Sequence, residues 1–145
     1  MTAIVILIAS GLVLLTVGIH LLLLRGLGRL ELHARSYPVM GMGIAMTLAI
    51  LGHIVEICVF AVALWWMAGD GRFGGFTGDL QPGERDYFYY SAITYTSLGF
   101  GDVAPHGAMR LLAAVEAITG LVLIAWTASF AFLAMQRLWE KQHAG

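Results

Sequence analysis

Apolar residues along the chain fall into three long runs, which predict three membrane-crossing helices. The runs cover residues 1–24, 39–67 and 111–135. Each run is longer than the roughly 20 residues that a helix needs to cross a bilayer at about 1.5 Å of rise per residue. As a helix the middle run would be about 43 Å long, so it should tilt or project from the bilayer.

Between the second and third runs the chain becomes polar and glycine-rich, and it divides into shorter elements. Residues 84–96 are too few to cross a bilayer and are rich in aromatic side chains, so a re-entrant helix is predicted there. Its C-terminal end would carry partial negative charge, which favours a nearby cation. The chain is predicted to have two parts, a helix with a basic loop over 1–36 and a second part over 37–145. The second part is predicted to contain a helix over 38–68, an exposed glycine-rich loop over 69–83, the short helix over 84–96, a non-helical segment over 97–102 and a helix over 108–139.

Composition places the chain in lipid. Of its 145 residues, 59% are hydrophobic and only 12% are charged, more apolar surface than a soluble domain of this size can bury. The first run lacks a basic leading region and is about twice as long as the apolar part of a signal peptide, so a retained helix is predicted. Neither a basic nucleic-acid-binding stripe nor a nucleophile–base pair is legible, so the sequence predicts neither a nucleic-acid partner nor an enzyme.

The placement of basic residues predicts the orientation in the membrane. Arg25, Arg29 and Arg35 follow the first run, while Arg137 and Lys141 follow the third. Five of the eight Lys and Arg residues therefore fall on one side, which should be the cytoplasm. The N-terminus is then expected outside and the C-terminus inside.

A short motif lies in the region between the second and third runs. Residues 94–102 read Thr-Tyr-Thr-Ser-Leu-Gly-Phe-Gly-Asp. Non-helical backbone at membrane depth needs protein or water as its partner. Gly99 and Gly101 can adopt positive φ without steric penalty, and a strand that alternates right- and left-handed residues turns successive carbonyl groups to one side.

This motif resembles the potassium-channel filter signature, Thr-x-Thr-Thr-x-Gly-(Tyr or Phe)-Gly-Asp. It departs only at Ser97, where Ser stands for the usual Thr and keeps the hydroxyl group. The resemblance covers the chain from the second helix onward. It implies an all-α integral membrane protein: a homotetrameric potassium-channel pore with a re-entrant pore helix and a selectivity filter in each chain. The first helix resembles the extra leading helix of small bacterial ion channels, which implies a multi-pass protein of the bacterial inner membrane.

The resemblance also implies the roles of individual residues. Backbone carbonyl groups would replace the hydration shell of K⁺, and Ser97 would add its hydroxyl group. No cofactor is expected besides permeant K⁺, and the expected partners are further copies of the chain and membrane lipids. The residues implied to bind K⁺ are Ser97, Leu98, Gly99 and Phe100, with Gly101 and Asp102 at the outer mouth and Thr94 and Thr96 as support.

The Asp at the end of the motif needs a hydrogen-bond partner other than the one found in some channels. Some channels carry a Glu that pairs with the filter Asp, but Ile93 occupies the corresponding position here. Tyr89 or Tyr90 is therefore predicted to donate a hydrogen bond to Asp102.

Several residues of the apolar runs have two interpretations each. Gly120 is either a gating hinge or a site of close helix packing. Leu121, Ile124, Ala128 and Phe132 share one helix face, which would line an inner cavity and gate it, or simply pack against other helices. Glu56 and Glu116 are costly inside a membrane, and we favour hydrogen-bonded or protonated carboxyl groups that join helices behind the filter.

Two histidines lie in the same runs. His53 and Glu56 are three residues apart on one helix face, a spacing that suits a metal site. The sequence reveals no third ligand for such a site, and His20 is predicted to be a helix-packing donor. Alternatives to a potassium-selective pore are a weakly selective cation channel and a non-conducting channel subunit. The gating stimulus stays open, because no span carries the arginine repeat of a voltage sensor.

Overall fold

Three long helices, one short helix and a two-stranded sheet make up the fold. The computed structural model describes residues 2–33, 38–78 and 84–143. Three of its helices are long and apolar enough to cross a membrane, as the sequence predicts. In chain order the elements are α1 (Thr2–His33), α2 (Pro38–Asp70), β1 (Gly74–Gly78), α3 (Glu84–Tyr95), β2 (Val103–Gly107) and α4 (Met109–His143).

The fold is mostly helical, as the all-α prediction has it, and a small sheet adds a strand inside the loop predicted over residues 69–83. Residues 79–83 of that loop lie outside the described residues. Strands β1 and β2 pair antiparallel, with Gly74 opposite Gly107 and Gly78 opposite Val103. Glycine is depleted in strands, so the sequence of β1 reads as a loop. The backbones approach so closely that a Cβ on Gly74 would lie 2.2 Å from the carbonyl oxygen of His106. Glycine is therefore what permits this pairing.

The helix ends also differ from the predicted ones. Helix α1 continues to His33, so Arg25 and Arg29 lie on a helix and not in a loop, while Arg35 lies outside the described residues. Long arginine side chains can reach the headgroup region from a helix that continues past the apolar run, so the positions of these charges do not mark the end of the helix. Helix α4 likewise extends to His143.

The four helices pack so that α3 is enclosed on two sides. Helix α1 packs on α2 and α4, and α3 packs on the same two helices. A buried apolar cluster joins α2, α3 and α4, with Phe60, Leu64 and Leu112 among its members. Helices α1 and α2 come close at Gly52, where a Cβ would lie 2.2 Å from Leu23 Cδ2. This packing places the end of α3 near the middle of the two long helices behind it.

Candidate functional site

The chain leaves α3 in a turn that remains hydrogen-bonded to the helix. The amide and hydroxyl groups of Thr96 both donate to the Ala92 carbonyl, at 3.2 and 2.7 Å. The Ser97 amide donates to the Thr94 carbonyl at 2.9 Å, and the Gly99 amide donates to the Ile93 carbonyl at 3.1 Å. The start of segment 97–102 is thus fixed to the last turn of α3.

Segment 97–102 has a backbone of alternating handedness. The φ angles of Ser97, Gly99 and Gly101 are +57°, +51° and +82°, whereas Leu98 and Phe100 between them do not have positive φ. The sequence predicts this conformation for the two glycines. It does not predict it for Ser97, where a side chain makes positive φ uncommon. Such strain costs about 1–3 kcal/mol and persists only where the surrounding structure holds it, often at functional sites.

The carbonyl groups of this segment have no partners within the described part of the chain. No backbone amide there donates to the carbonyls of residues 97–101. The side chains of Leu98 and Phe100 are 59% and 65% exposed. A Cβ on Gly99 or Gly101 would meet no atom within 4 Å. A single chain therefore leaves a row of carbonyl oxygens and two large apolar side chains uncovered. Backbone carbonyl groups in folded proteins normally have hydrogen-bond partners.

Tyr89 supports the outer end of the segment. Its hydroxyl group donates to Asp102 Oδ2 at 2.8 Å. Of the two predicted donors, Tyr89 is therefore the one that bonds to Asp102. The hydrogen bond to Asp102 raises the pKa of the Tyr89 hydroxyl group, which therefore keeps its proton. Tyr90 is instead buried, with its ring edge-on to Phe76 at 4.7 Å between ring centroids.

The predicted cavity face of α4 is uncovered within one chain. Leu121, Ile124, Ala128 and Phe132 are all exposed. Gly120 beside them is buried against Tyr95, where an added Cβ would lie 2.0 Å from the carbonyl oxygen. Close packing of Gly120 is thus a property of the fold, and its role as a hinge stays a prediction.

Glu116 joins three helices behind segment 97–102. Its side chain is fully buried, and its Oε1 atom forms a short hydrogen bond with Ser91 of α3. Ser91 Oγ also lies 2.8 Å from the Ile57 carbonyl oxygen of α2. Within the described residues the other carboxyl oxygen, Oε2, has no partner. Since Ser91 has one hydrogen to donate, a protonated Glu116 would satisfy both of its contacts.

Glu56 lies at the centre of a second buried group. Its two carboxyl oxygens lie 2.9 Å from His20 Nδ1 and 3.0 Å from His53 Nδ1. The Tyr95 hydroxyl group also donates to Glu56 Oε2. We call His20, His53, Glu56, Tyr95 and Thr127 the His–Glu cluster. His20 is a third side chain of a type that can bind a metal ion. The sequence does not reveal it, because it lies 36 positions from Glu56 on another helix.

Three long apolar helices, a short helix packed on two of them and a row of carbonyl groups without partners in the described chain are the features of an integral membrane ion channel. A family model described as "Ion channel" matches residues 52–137. This match covers more than half of the chain, and the chain therefore belongs to this family of two-transmembrane pore-domain ion channels. The match contains α3 and segment 97–102 but not α1. Comparisons with curated proteins and with solved structures found no match.

Proposed function

We propose that this protein is a potassium-selective channel in which four identical chains form one pore around segment 97–102. The observation that carries the proposal is the alternating backbone at Ser97, Gly99 and Gly101, next to carbonyl groups without partners in the described chain. One chain supplies one strand of the filter. Four chains around an axis would turn these strands into rings of oxygen atoms.

K⁺ would pass through these rings down its gradient. The carbonyl groups of Ser97, Leu98, Gly99 and Phe100 would replace its hydration shell, and the Ser97 hydroxyl group would complete the innermost ring. The C-terminal end of α3 would direct its partial negative charge at the ion. Thr94 and Thr96 would support the filter from α3.

The outer mouth and the inner cavity follow from the same arrangement. Gly101 and Asp102, with Tyr89 bonded to Asp102, would form the outer mouth. The exposed face of α4 would line the inner cavity. Neighbouring chains would cover Leu98 and Phe100, which a single chain leaves exposed.

The proposed orientation puts the N-terminus outside and the C-terminus in the cytoplasm of a bacterial inner membrane. It rests on the basic residues that follow the first and third apolar runs. Helix α1 would lie at the periphery of the tetramer, because the family match begins at residue 52. A cysteine introduced at Thr2 should then react with an impermeant reagent from outside. Reaction only after permeabilisation would contradict this orientation.

Ion flux into liposomes tests the proposal. Liposomes that contain the purified chain should take up K⁺ much faster than Na⁺, and protein-free liposomes should take up neither. Equal uptake of both ions would favour a weakly selective cation channel. No uptake of either ion by a folded protein would favour a non-conducting channel subunit.

A further inference from the structure

The His–Glu cluster brings together the donor atoms of a metal site. His20 of α1 and His53 and Glu56 of α2 each offer one ligand atom, and these atoms all lie within 4.8 Å of one another. The Tyr95 hydroxyl oxygen of α3 lies 2.9 Å from His53 Nδ1 and bonds to Glu56. Nitrogen and oxygen donors from three helices therefore converge on one point.

Thr127 of α4 holds both imidazole rings in the orientation of metal ligands. Its Oγ1 atom lies 3.0 Å from His53 Nε2 and 3.3 Å from His20 Nε2. Each ring thus directs Nε2 to this hydroxyl group and Nδ1 to Glu56. A hydroxyl oxygen has two acceptor lone pairs, so it can accept both Nε2–H groups, which leaves both Nδ1 lone pairs directed at the centre. An outer partner on the second ring nitrogen is the usual feature of metal-bound histidine.

Hydrogen counting shows that the centre of the cluster needs positive charge. Glu56 and Thr127 make five hydrogen bonds to the rest of the cluster, and each needs one hydrogen. An ionised Glu56 supplies none, and when both Nε2–H groups donate to Thr127, only Tyr95 supplies a hydrogen to Glu56. The two contacts between Glu56 and the Nδ1 atoms then hold no hydrogen, and a metal ion at the centre would bind the lone pairs on both sides. The alternative is that Thr127 donates to one ring and a single added proton completes the five contacts.

We propose that the His–Glu cluster binds a divalent transition-metal ion of the zinc type. Its ligands are His20 Nδ1, His53 Nδ1 and the Glu56 carboxylate, and the Tyr95 hydroxyl group lies at the fourth position. Tetrahedral zinc with bonds of about 2.0–2.1 Å keeps its ligand atoms about 3.3 Å apart. The observed separations of 2.9 and 3.0 Å between Glu56 oxygens and the two Nδ1 atoms are a few tenths of an ångström shorter than that value, as is the 2.9 Å between the Tyr95 hydroxyl oxygen and His53 Nδ1. The Tyr95 hydroxyl group forms a short hydrogen bond with Glu56, so these two groups would have to move apart on metal binding.

A bound ion would fasten α1 to the centre of the channel. His20 and Glu56 are fully buried, while the His53 side chain is 15% exposed, so an ion would reach the cluster past His53. Through Tyr95, the ion would connect α1 to the last residue of α3, beside segment 97–102. The site lies within one chain, so it needs neither the proposed tetramer nor K⁺ conduction.

Zinc binding to the full-length chain, purified without a histidine tag and stripped with a chelator, tests the proposal. Elemental analysis after removal of free Zn²⁺ should give one ion per chain, and added Zn²⁺ should raise the unfolding temperature because it binds the folded state. His20→Gln, His53→Gln and Glu56→Gln should each lose this ion. His106→Gln is the matched control, since His106 is exposed on β2 and outside the cluster.

Substitution of Thr127 distinguishes a metal site from a cluster that only holds the helices together. Thr127→Val keeps the shape of the side chain but removes the outer partner of both rings, and zinc affinity should fall about 10–100-fold. Thr127→Ser restores the hydroxyl group and should restore the affinity.

Two results would overturn the proposal. One is no binding by the wild-type chain beyond the level seen in the His20→Gln variant, which would assign the central charge to a proton. The other is an X-ray absorption spectrum of the zinc-loaded wild-type chain without imidazole ligands. The spectrum decides the matter even if the cluster variants fail to fold. Zinc binding without K⁺ flux would leave this site standing and contradict only the proposed conduction.

Discussion

Gly120 of α4 lies directly against the main-chain carbonyl group of Tyr95, the last residue of α3. A Cβ built on Gly120 would lie 2.0 Å from that oxygen and 2.8 Å from Tyr95 Cγ. Both neighbours are held in place, the carbonyl by the backbone and the ring by the bond of its hydroxyl group to Glu56. The contact therefore fixes how near α4 lies to the start of segment 97–102.

Gly120→Ala should displace the end of α3 and destabilise the protein. Overpacking of a close contact costs about 1–3 kcal/mol, and the thermal unfolding temperature should fall with the K⁺ flux. Gly11→Ala is the control, because no atom lies within 4 Å of a Cβ at that position. If Gly120→Ala kept its stability and changed only the opening of the channel, the hinge interpretation would be the better one.

Gly101→Ala should impair conduction by straining the backbone of the proposed filter. Within one chain a Cβ there meets no atom within 4 Å, so the cost within the chain comes from the φ angle of +82°, which costs an L-residue roughly 1–2 kcal/mol. The flux ratio of K⁺ to Na⁺ should fall or conduction should cease, with Gly11→Ala again as the control. Wild-type selectivity in Gly101→Ala would contradict the assignment of the filter to this segment.

The sequence and the structure predict different effects for Ser97→Thr. The sequence alone predicts a mild effect, because the hydroxyl group is kept. The φ angle of +57° at Ser97 predicts lower stability, because a β-branched residue is a genuine outlier in the left-handed region. Ser97→Gly should relieve the strain and unfold at a higher temperature than Ser97→Thr. Equal unfolding temperatures would show that position 97 is not strained in the assembled protein.

Glu116→Gln should be nearly neutral, whereas Glu116→Ala should destabilise the protein by about 2 kcal/mol or more. A glutamine amide can donate to Ser91, which then donates to the Ile57 carbonyl group, as a protonated Glu116 would. Alanine leaves a cavity and removes the partner of Ser91. Thermal unfolding of the two variants measures the difference. A strong loss of stability in Glu116→Gln would mean that the ionised carboxylate is required.

The sequence predicts those parts of the fold that depend on residues close together in the chain. An apolar run longer than a bilayer is thick gives a helix wherever it lies, and alternate glycines allow positive φ at Gly99 and Gly101 regardless of their neighbours. The pairing of Gly74 with Gly107 and the contact of His20 with Glu56 depend on residues far apart in the chain. No periodicity within α1 or β1 specifies these partners.

The positive φ at Ser97 likewise has no local cause that the sequence shows. Nothing in a serine favours the left-handed region, and the conformation comes from the hydrogen bonds of the Ser97 and Gly99 amides to the end of α3. The same hydrogen bonds explain the position of Ile93. Its side chain is buried, and its carbonyl group accepts from Gly99, so a residue that looks like a missing filter partner contributes through its backbone.

The glycine pairing of β1 with β2 permits only one register. At the position of Gly78 a Cβ would lie 2.0 Å from the Asp102 carbonyl oxygen, and a slip of one residue in either direction would put Thr77 or Asp79 there. The sheet therefore acts as a spacer of a single length between the end of α2 and Asp102. A movement of the end of α2 would therefore be transmitted to Asp102 and the segment before it, so in the proposed channel a change in membrane thickness would act on the proposed filter.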